Sequence, residues 1–179
     1  IIGLITNITE TIQGTTQTYV YAYNSLGQLT EERINGTVRA TYQYDGNGNR
    51  TNATVDGQSS IGVFDAQDRM LSYGSTTYGY SPTGLTTNKS VGGQATTYEY
   101  DAFGELVAVD LPSGLSVDYK YDAAGRRVVR MTNGVVAAGY LYKDALNPVA
   151  ELDAYGSVVA YFVYGAKPFV PEYMVKSGT

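Results

Sequence analysis

The chain contains no cysteine, no histidine and no tryptophan. Those absences exclude a thiolate- or imidazole-ligated zinc site, an iron–sulfur cluster, a thiol nucleophile and any histidine-based triad. They also exclude disulfide stapling, although many secreted bacterial proteins lack cysteine too, so the compartment is left open. Charge is scarce as well. Asp, Glu, Lys and Arg make up 16% of the residues, against about 25% in an ordinary soluble domain. The balance is acidic, 12 Lys and Arg against 17 Asp and Glu for a net charge of −5. Nothing there attracts nucleic acid or anionic lipid. No stretch reaches the ~18 consecutive apolar residues that a spanning helix needs. The more apolar segments, Val135 to Tyr142 and Val158 to Val170, are interrupted by glycine and proline. Ile1-Ile2-Gly3-Leu4-Ile5 has no basic leader region, and with Ile in first place the chain reads as a processed or excised piece of something longer.

What is abundant is tyrosine and glycine, 18 and 21 of 179 residues. The tyrosines are not scattered. Aromatic–x–aromatic steps open the segments YAYNSLGQLT at Tyr21, YQYDGNGNRT at Tyr42 and YGYSPTGLTT at Tyr78. They recur as YEYDAFGELV at Tyr98, YKYDAAGRRV at Tyr119 and YLYKDALNPV at Tyr140. A degenerate copy, VFDAQDRML, runs from Val63, and DAYGSVV at Asp153 and FVYG at Phe162 complete the series. The second aromatics are Tyr23, Tyr44, Phe64, Tyr80, Tyr100, Tyr121, Tyr142 and Tyr164, separated by 21, 20, 16, 20, 21, 21 and 22 residues. A nearly constant period of this length marks a repeat architecture.

One unit can be built from its letters. Tyr42 and Tyr44 stand at i and i+2 and share a strand face. Asp45-Gly46-Asn47-Gly48-Asn49 then offers side chains and glycines suited to a tight turn. A second strand from Arg50 to Val55 ends at Asp56-Gly57, a two-residue hairpin signal. Asn35-Gly36, Asn133-Gly134 and Ser113-Gly114 occupy the equivalent second turn in other units. Each unit is thus two strands and two turns. No segment carries a sustained 3.6-residue apolar period with caps, so little helix is expected. The expected fold is all-β: a repetitive antiparallel hairpin meander forming a curled sheet, β-shell or solenoid-like segment, in a single domain over 1–179. Eight two-strand units give about sixteen strands, on the order of 75 Å of sheet at ~4.8 Å per strand. Open sheets rarely exceed ~10 strands without curling or being covered, and the apolar ends, Ile1 to Ile5 and Tyr161 to Tyr164, do not read as caps. Curling into a partial shell or head-to-tail stacking of copies would each answer this.

The letters YxYDxxG followed by N-R-T resemble the YD-repeat, or RHS-repeat, family of bacterial RHS and wall-associated proteins, toxin-complex shell components and animal teneurins. The motif positions are Tyr42, Tyr44, Asp45, Gly48 and Arg50, then Tyr98, Tyr100, Asp101 and Gly104, then Tyr119, Tyr121, Asp122, Gly125 and Arg126. Looser copies carry Tyr21, Tyr23 and Gly27 with Asn24 for the aspartate, Tyr78, Tyr80 and Gly84 with Ser81, and Tyr140 and Tyr142 with Lys143. Phe64 and Asp65 mark the degenerate copy. The tail from Phe162 resembles the stretch leading toward the plug region of bacterial members; that region, its self-cleaving aspartyl site and a toxin domain are not in this sequence. The resemblance implies a non-enzymatic, bacterial, extracellular, secreted or cell-surface wall of repeats that encloses a polypeptide cargo and associates with other repeats.

A tyrosine ladder could stack carbohydrate, but a pair in every unit fits inter-repeat stacking and register better. The repeated aspartates fit backbone capping of their turns. Asp45-x-Asn47-x-Asn49 with Asp56 overlaps a calcium-loop spacing, yet Arg50 stands where glycine belongs and Asp56 where glutamate does. No metal and no cofactor is expected. The carboxylate pairs Glu31 and Glu32, Glu99 and Asp101, and Glu105 and Asp110 lack the facing geometry of a glycosidase. Arg126, Arg127 and Arg130 read as cross-strand partners of Asp118, Asp122 and Asp144. Asn7, Asn35, Asn49, Asn52 and Asn88 head Asn-x-Ser/Thr sequons, relevant in a secreted eukaryotic chain.

Overall fold

A computed structural model describes residues 3–167 and 169–178. Ile1 and Ile2, half of the apolar start noted above, lie outside the described residues. The described chain is all-β, with seventeen strands and no helix. It divides into two compact units, residues 1–79 with 90–92, and residues 80–89 with 93–179.

The first unit carries β1 (Asn7–Ile12), β2 (Thr15–Tyr23), β3 (Leu29–Ile34), β4 (Thr37–Tyr44), β5 (Arg50–Val55), β6 (Gln58–Phe64), β7 (Met70–Tyr73) and β8 (Thr76–Tyr80) up to its last residue, which falls in the second. Each strand pairs antiparallel with the next. Long and short connections alternate, because the sequence alternates two kinds of turn. The short ones are two-residue hairpins, and in Asn35 (48°) with Gly36 (82°) and Asp56 (49°) with Gly57 (79°) both residues have positive φ. The Asn35 side chain adds a bond that sequence alone does not show: its Oδ1 accepts the Thr18 N–H at 2.9 Å, continuing the ladder past the strand end.

In the second unit β9 (Thr86–Val91), some of whose residues fall in the first, is followed by β10 (Gln94–Tyr100), β11 (Leu106–Asp110), β12 (Ser116–Tyr121) and β13 (Arg127–Thr132). Then come β14 (Val135–Tyr142), β15 (Pro148–Leu152), β16 (Val158–Tyr164) and β17 (Pro171–Lys176). From β10 onward each again pairs antiparallel with its successor. Asn133 repeats the role of Asn35, accepting the Ser116 N–H at 2.9 Å. Two expectations need correction here. Ser113-Gly114 is no two-residue hairpin but part of a five-residue loop, in which Leu111 N–H bonds Leu115 O and Gly114 N–H bonds Leu111 O. Tyr161 to Tyr164 is not the last strand either, since the tail supplies β17, in register from Ala160↔Lys176.

Neither unit has a deep core. The buried hydrophobic residues are small: Ala40 and Ala53 in the first unit, Ala138, Ala150 and Ala160 in the second. Each alanine stands beside a larger strand neighbour, Ala53 opposite Tyr42 and Ala138 opposite Arg130. Rows of half-buried tyrosines therefore do what interior leucines do in a layered domain.

Candidate functional site

The feature repeated through both units is a five-residue loop with a tyrosine in front of it. In Asp45–Asn49 the first N–H bonds the fifth carbonyl (3.0 Å) and the fourth N–H bonds the first carbonyl (3.2 Å). The same two bonds close Asn24–Gln28, Asp65–Arg69, Ser81–Leu85, Asp101–Glu105, Asp122–Arg126 and Asp153–Ser157. The fourth residue needs positive φ, which explains Gly48 at 93°. Asp68 holds that place at 60° in the degenerate copy, and its Oδ1 accepts Nδ2 of both Asn47 and Asn49, each at 2.7 Å. That clasp joins two successive loops.

The loop's first side chain caps it. Asp45 Oδ1 accepts the Asn47 and Asn49 N–H groups at 3.0 and 2.9 Å. Asp65, Asp101, Asp122 and Asp153 do the same for the residues two and four ahead. Asn24 does so with its amide oxygen, whereas the Ser81 hydroxyl accepts from Leu85 alone at 3.1 Å. Behind Lys143 the carboxylate has moved one place on: Asp144 accepts from Leu146 and Asn147, each at 3.0 Å. A YxYD pattern misses it because it fixes the acid directly after the tyrosine.

The fifth side chain then meets the first. Asn49 holds the Asp45 carboxyl below the ordinary range by its side-chain hydrogen bond, helped by the loop N–H groups. At Asp65 burial acts upward, but the Arg69 N–H and guanidinium outweigh it and the net shift is down. Arg126 lowers Asp122 through a 2.7 Å ion pair, and backbone and Asn147 bonds lower Asp144. Glu105 is the exception. Desolvation first, then the Asp101 and Asp122 charges, push it up.

The register shifts at the second tyrosine of each pair, between Gln43 and Tyr44, Lys120 and Tyr121, or Leu141 and Tyr142, where the following strand carries one extra residue. The tyrosine's hydroxyl donates to the carbonyl at the start of the preceding strand. Tyr44 reaches Leu29 O at 2.8 Å, Tyr121 Leu106 O at 2.9 Å, Tyr142 Arg127 O at 2.9 Å and Tyr164 Pro148 O at 2.9 Å. Tyr23 reaches Ile5 O, just ahead of β1, at 2.8 Å. Phe64 stands at the equivalent place without a hydroxyl to give.

The arginines do not behave as cross-strand partners of the acids around them, which corrects the reading of the 126–130 cluster. Arg126 pairs with Asp122 inside one loop and caps Asp144 O. Arg127 lies over the Tyr119 ring at 4.0 Å. Arg50, its counterpart after the Asp45 loop, sits between Tyr42 and Tyr73 at 5.4 and 5.5 Å. Cation–π contact holds these side chains against the rings. As for the other candidates, Glu31 and Glu32 bind Arg33 and Arg39, and Glu99 is exposed between half-buried tyrosines. The calcium-like side chains Asp45, Asn47 and Asn49 are committed to one another and to Asp68, and Asp56 sits in the hairpin at the far end of β5.

A loop, a bulge and a clasping hydroxyl, spaced by one period, make a recurring structural unit. The family model of the teneurin YD-shell matches residues 1–178. The chain belongs to this YD-shell family. Among curated relatives, the tRNA nuclease WapA of Bacillus subtilis is 31% identical over 148 residues, covering 80% of this chain and 6% of WapA. Teneurin-1 of Mus musculus is 28% identical over 163 residues, 89% of this chain and 6% of that protein. This YD-shell chain thus spans a small fraction of the relatives it matches. In fold it is similar to the crystal structure of TcdB2-TccC3-TEV, at TM-score 0.57 and 13% identity, covering 89% of this chain and 11% of the other.

Proposed function

We propose that the chain is a non-enzymatic segment of a secreted or extracellular YD shell, a piece of wall around an enclosed polypeptide. The observation that carries this reading is where the reactive side chains are used. Loop carboxylates cap backbone N–H groups, clasping tyrosines hold backbone carbonyls, and arginines cover rings, so the repeated residues serve the wall itself. The YD-shell family match over nearly the whole chain supports it, and the fold is shared with TcdB2-TccC3-TEV. Relatives named as a nuclease or a teneurin do not transfer their activities, since this chain matches only 6% of each. Partners on this reading are further repeats of the same protein and the cargo.

A second reading, the subunit of an extracellular filament, draws on β17, all six of whose residues are exposed. A strand at the edge of a sheet can pair with another copy. Negative-stain electron microscopy of the purified protein separates the two. The shell reading expects single particles or short curved pieces; long regular fibres would sink it.

A further inference from the structure

A cleft of about 420 Å³ opens in the second unit among Tyr121, Arg127, Arg130, Tyr140, Tyr142 and Pro148. It falls within the ~300–1,000 Å³ of ordinary ligand sites, and its lining departs from the rest of the repeat. Elsewhere an arginine meets a carboxylate, as Arg33 with Glu31, Arg39 with Glu32, Arg69 with Asp65 and Arg126 with Asp122, or lies between two rings, as Arg50 does with Tyr42 and Tyr73. Arg127 and Arg130 are exposed and, among the described residues, neither has an ion pair. Arg127 spends one face on Tyr119, but its N–H edge meets only the Tyr121 hydroxyl, at 3.4 Å. Two guanidiniums lining one cleft repel each other until an anion lies between them.

From this charge complementarity we infer that the cleft binds a carboxylate side chain of an acidic peptide segment, held by Arg127 and Arg130, with the peptide laid against Tyr140 and Tyr142. The guanidinium fork matches a carboxylate in two parallel hydrogen bonds. A polyanion such as nucleic acid fits poorly, because Asp122 and Asp144 lie on the neighbouring loops, Glu151 stands opposite Tyr140 and the whole chain is negative. Single carboxylates spaced along a neutral chain avoid that repulsion. The Tyr121 and Tyr142 hydroxyls are already given to Leu106 O and Arg127 O, which leaves the guanidiniums as the specific donors. The inference does not rest on the shell reading, because a fibre subunit would carry the same cleft.

The test is an NMR titration of the intact chain with an N-acetylated, C-amidated octapeptide alternating Glu and Ser. The Arg127 and Arg130 Nε–Hε signals should move together and saturate. Arg127→Gln and Arg130→Gln should each weaken binding about tenfold, the loss of one charge-assisted pair, while Arg39→Gln leaves it unchanged. Equal binding of the Gln/Ser version of the peptide would overturn the proposal, as would undiminished binding by the Arg127→Gln, Arg130→Gln double variant. Glucuronate or inorganic phosphate saturating the same signals below the peptide's concentration would overturn the peptide as occupant. If a variant does not fold, the wild-type titration decides alone: unmoved arginine signals at millimolar peptide reject the site.

Discussion

The two units of the chain are built from one repeat but close their strands differently. The first alternates five-residue loops with two-residue hairpins, for example Asp45–Asn49 against Asp56-Gly57. The second also uses five-residue loops in the second-turn place, at Leu111–Leu115 and Asp153–Ser157. Their side chains diverge in the same way. The fifth loop residue of the first unit is a donor or amide partner for the cap: Gln28 to Asn24, Asn49 to Asp45, Arg69 to Asp65. In the second unit one of these is an acid against an acid, Glu105 beside Asp101. The arginine after the loop is sandwiched in the first unit and borders an open cleft in the second. Loop backbone and clasping hydroxyl are thus the constant frame, and the fifth loop position and the following strand start are where the units diverge.

The comparison is sharpened most by glycine. Gly62 of β6 occupies the place of the first tyrosine, and a Cβ there would lie 2.6 Å from the Arg50 carbonyl oxygen, with the Phe64 and Tyr73 rings at 3.1 and 3.3 Å. Backbone cannot yield as a side chain can, so Gly62→Ala should cost about 2–3 kcal/mol in overpacking. Gly139→Ala in the second unit meets Leu152 Cβ at 3.3 Å and should change stability by less than about 1 kcal/mol. Urea unfolding of the two variants checks the order, and equal losses would break the distinction.

Next in size is the clasp. Tyr44→Phe and Tyr142→Phe each remove one hydroxyl bond to a backbone carbonyl and should cost about 1 kcal/mol apiece. Similar values in both units would support a common frame. A loss in one unit only would break it.

Smallest are the charge effects, read as thermal midpoints across pH. Asp45, Asp65, Asp122 and Asp144 are held low. Their stabilisation is present above the unfolded value of about 3.9 and lost as pH falls through the lower folded values. Glu105 is raised, so its contribution has the opposite sign: present below about 4.3 and lost as pH rises through its folded value. Glu105→Gln removes the repulsion and supplies an amide facing Asp101, as Asn49 faces Asp45. The midpoint at pH 7 should rise, with no gain below pH 4. An unchanged midpoint at pH 7 would remove Glu105 from the comparison.

Much of this frame was legible in the letters. The period, the strand Arg50–Val55 and the hairpins at Asn35-Gly36, Asp56-Gly57 and Asn133-Gly134 follow from local chemistry, where positive φ selects its residues. What failed was what local letters share between two structures. Ser113-Gly114 suits a two-residue hairpin as well as the end of a five-residue loop, and only the Leu111–Leu115 pairing decides. Asp144 serves a loop from a shifted place, and Asp68 tolerates the backbone that Gly48 adopts. The destination of the tyrosine hydroxyls was hidden for another reason: it depends on a bulge and on a carbonyl about fifteen residues away. The open cleft beside Arg127 and Arg130 was equally hidden, because neighbouring acids in sequence suggested pairs that the strands do not bring together.

The central claim is that the repeated tyrosines are fasteners of the wall. Spectrophotometric titration of the phenols tests it most directly. Burial, first of all, raises Tyr21, Tyr44, Tyr142 and Tyr164 above the ordinary phenol value of 10.0. The clasping tyrosines Tyr44, Tyr142 and Tyr164 should ionise only above the ordinary phenol range, together with loss of the β-sheet circular dichroism. A single transition near pH 10 that embraces every tyrosine and leaves the sheet signal unchanged would contradict it.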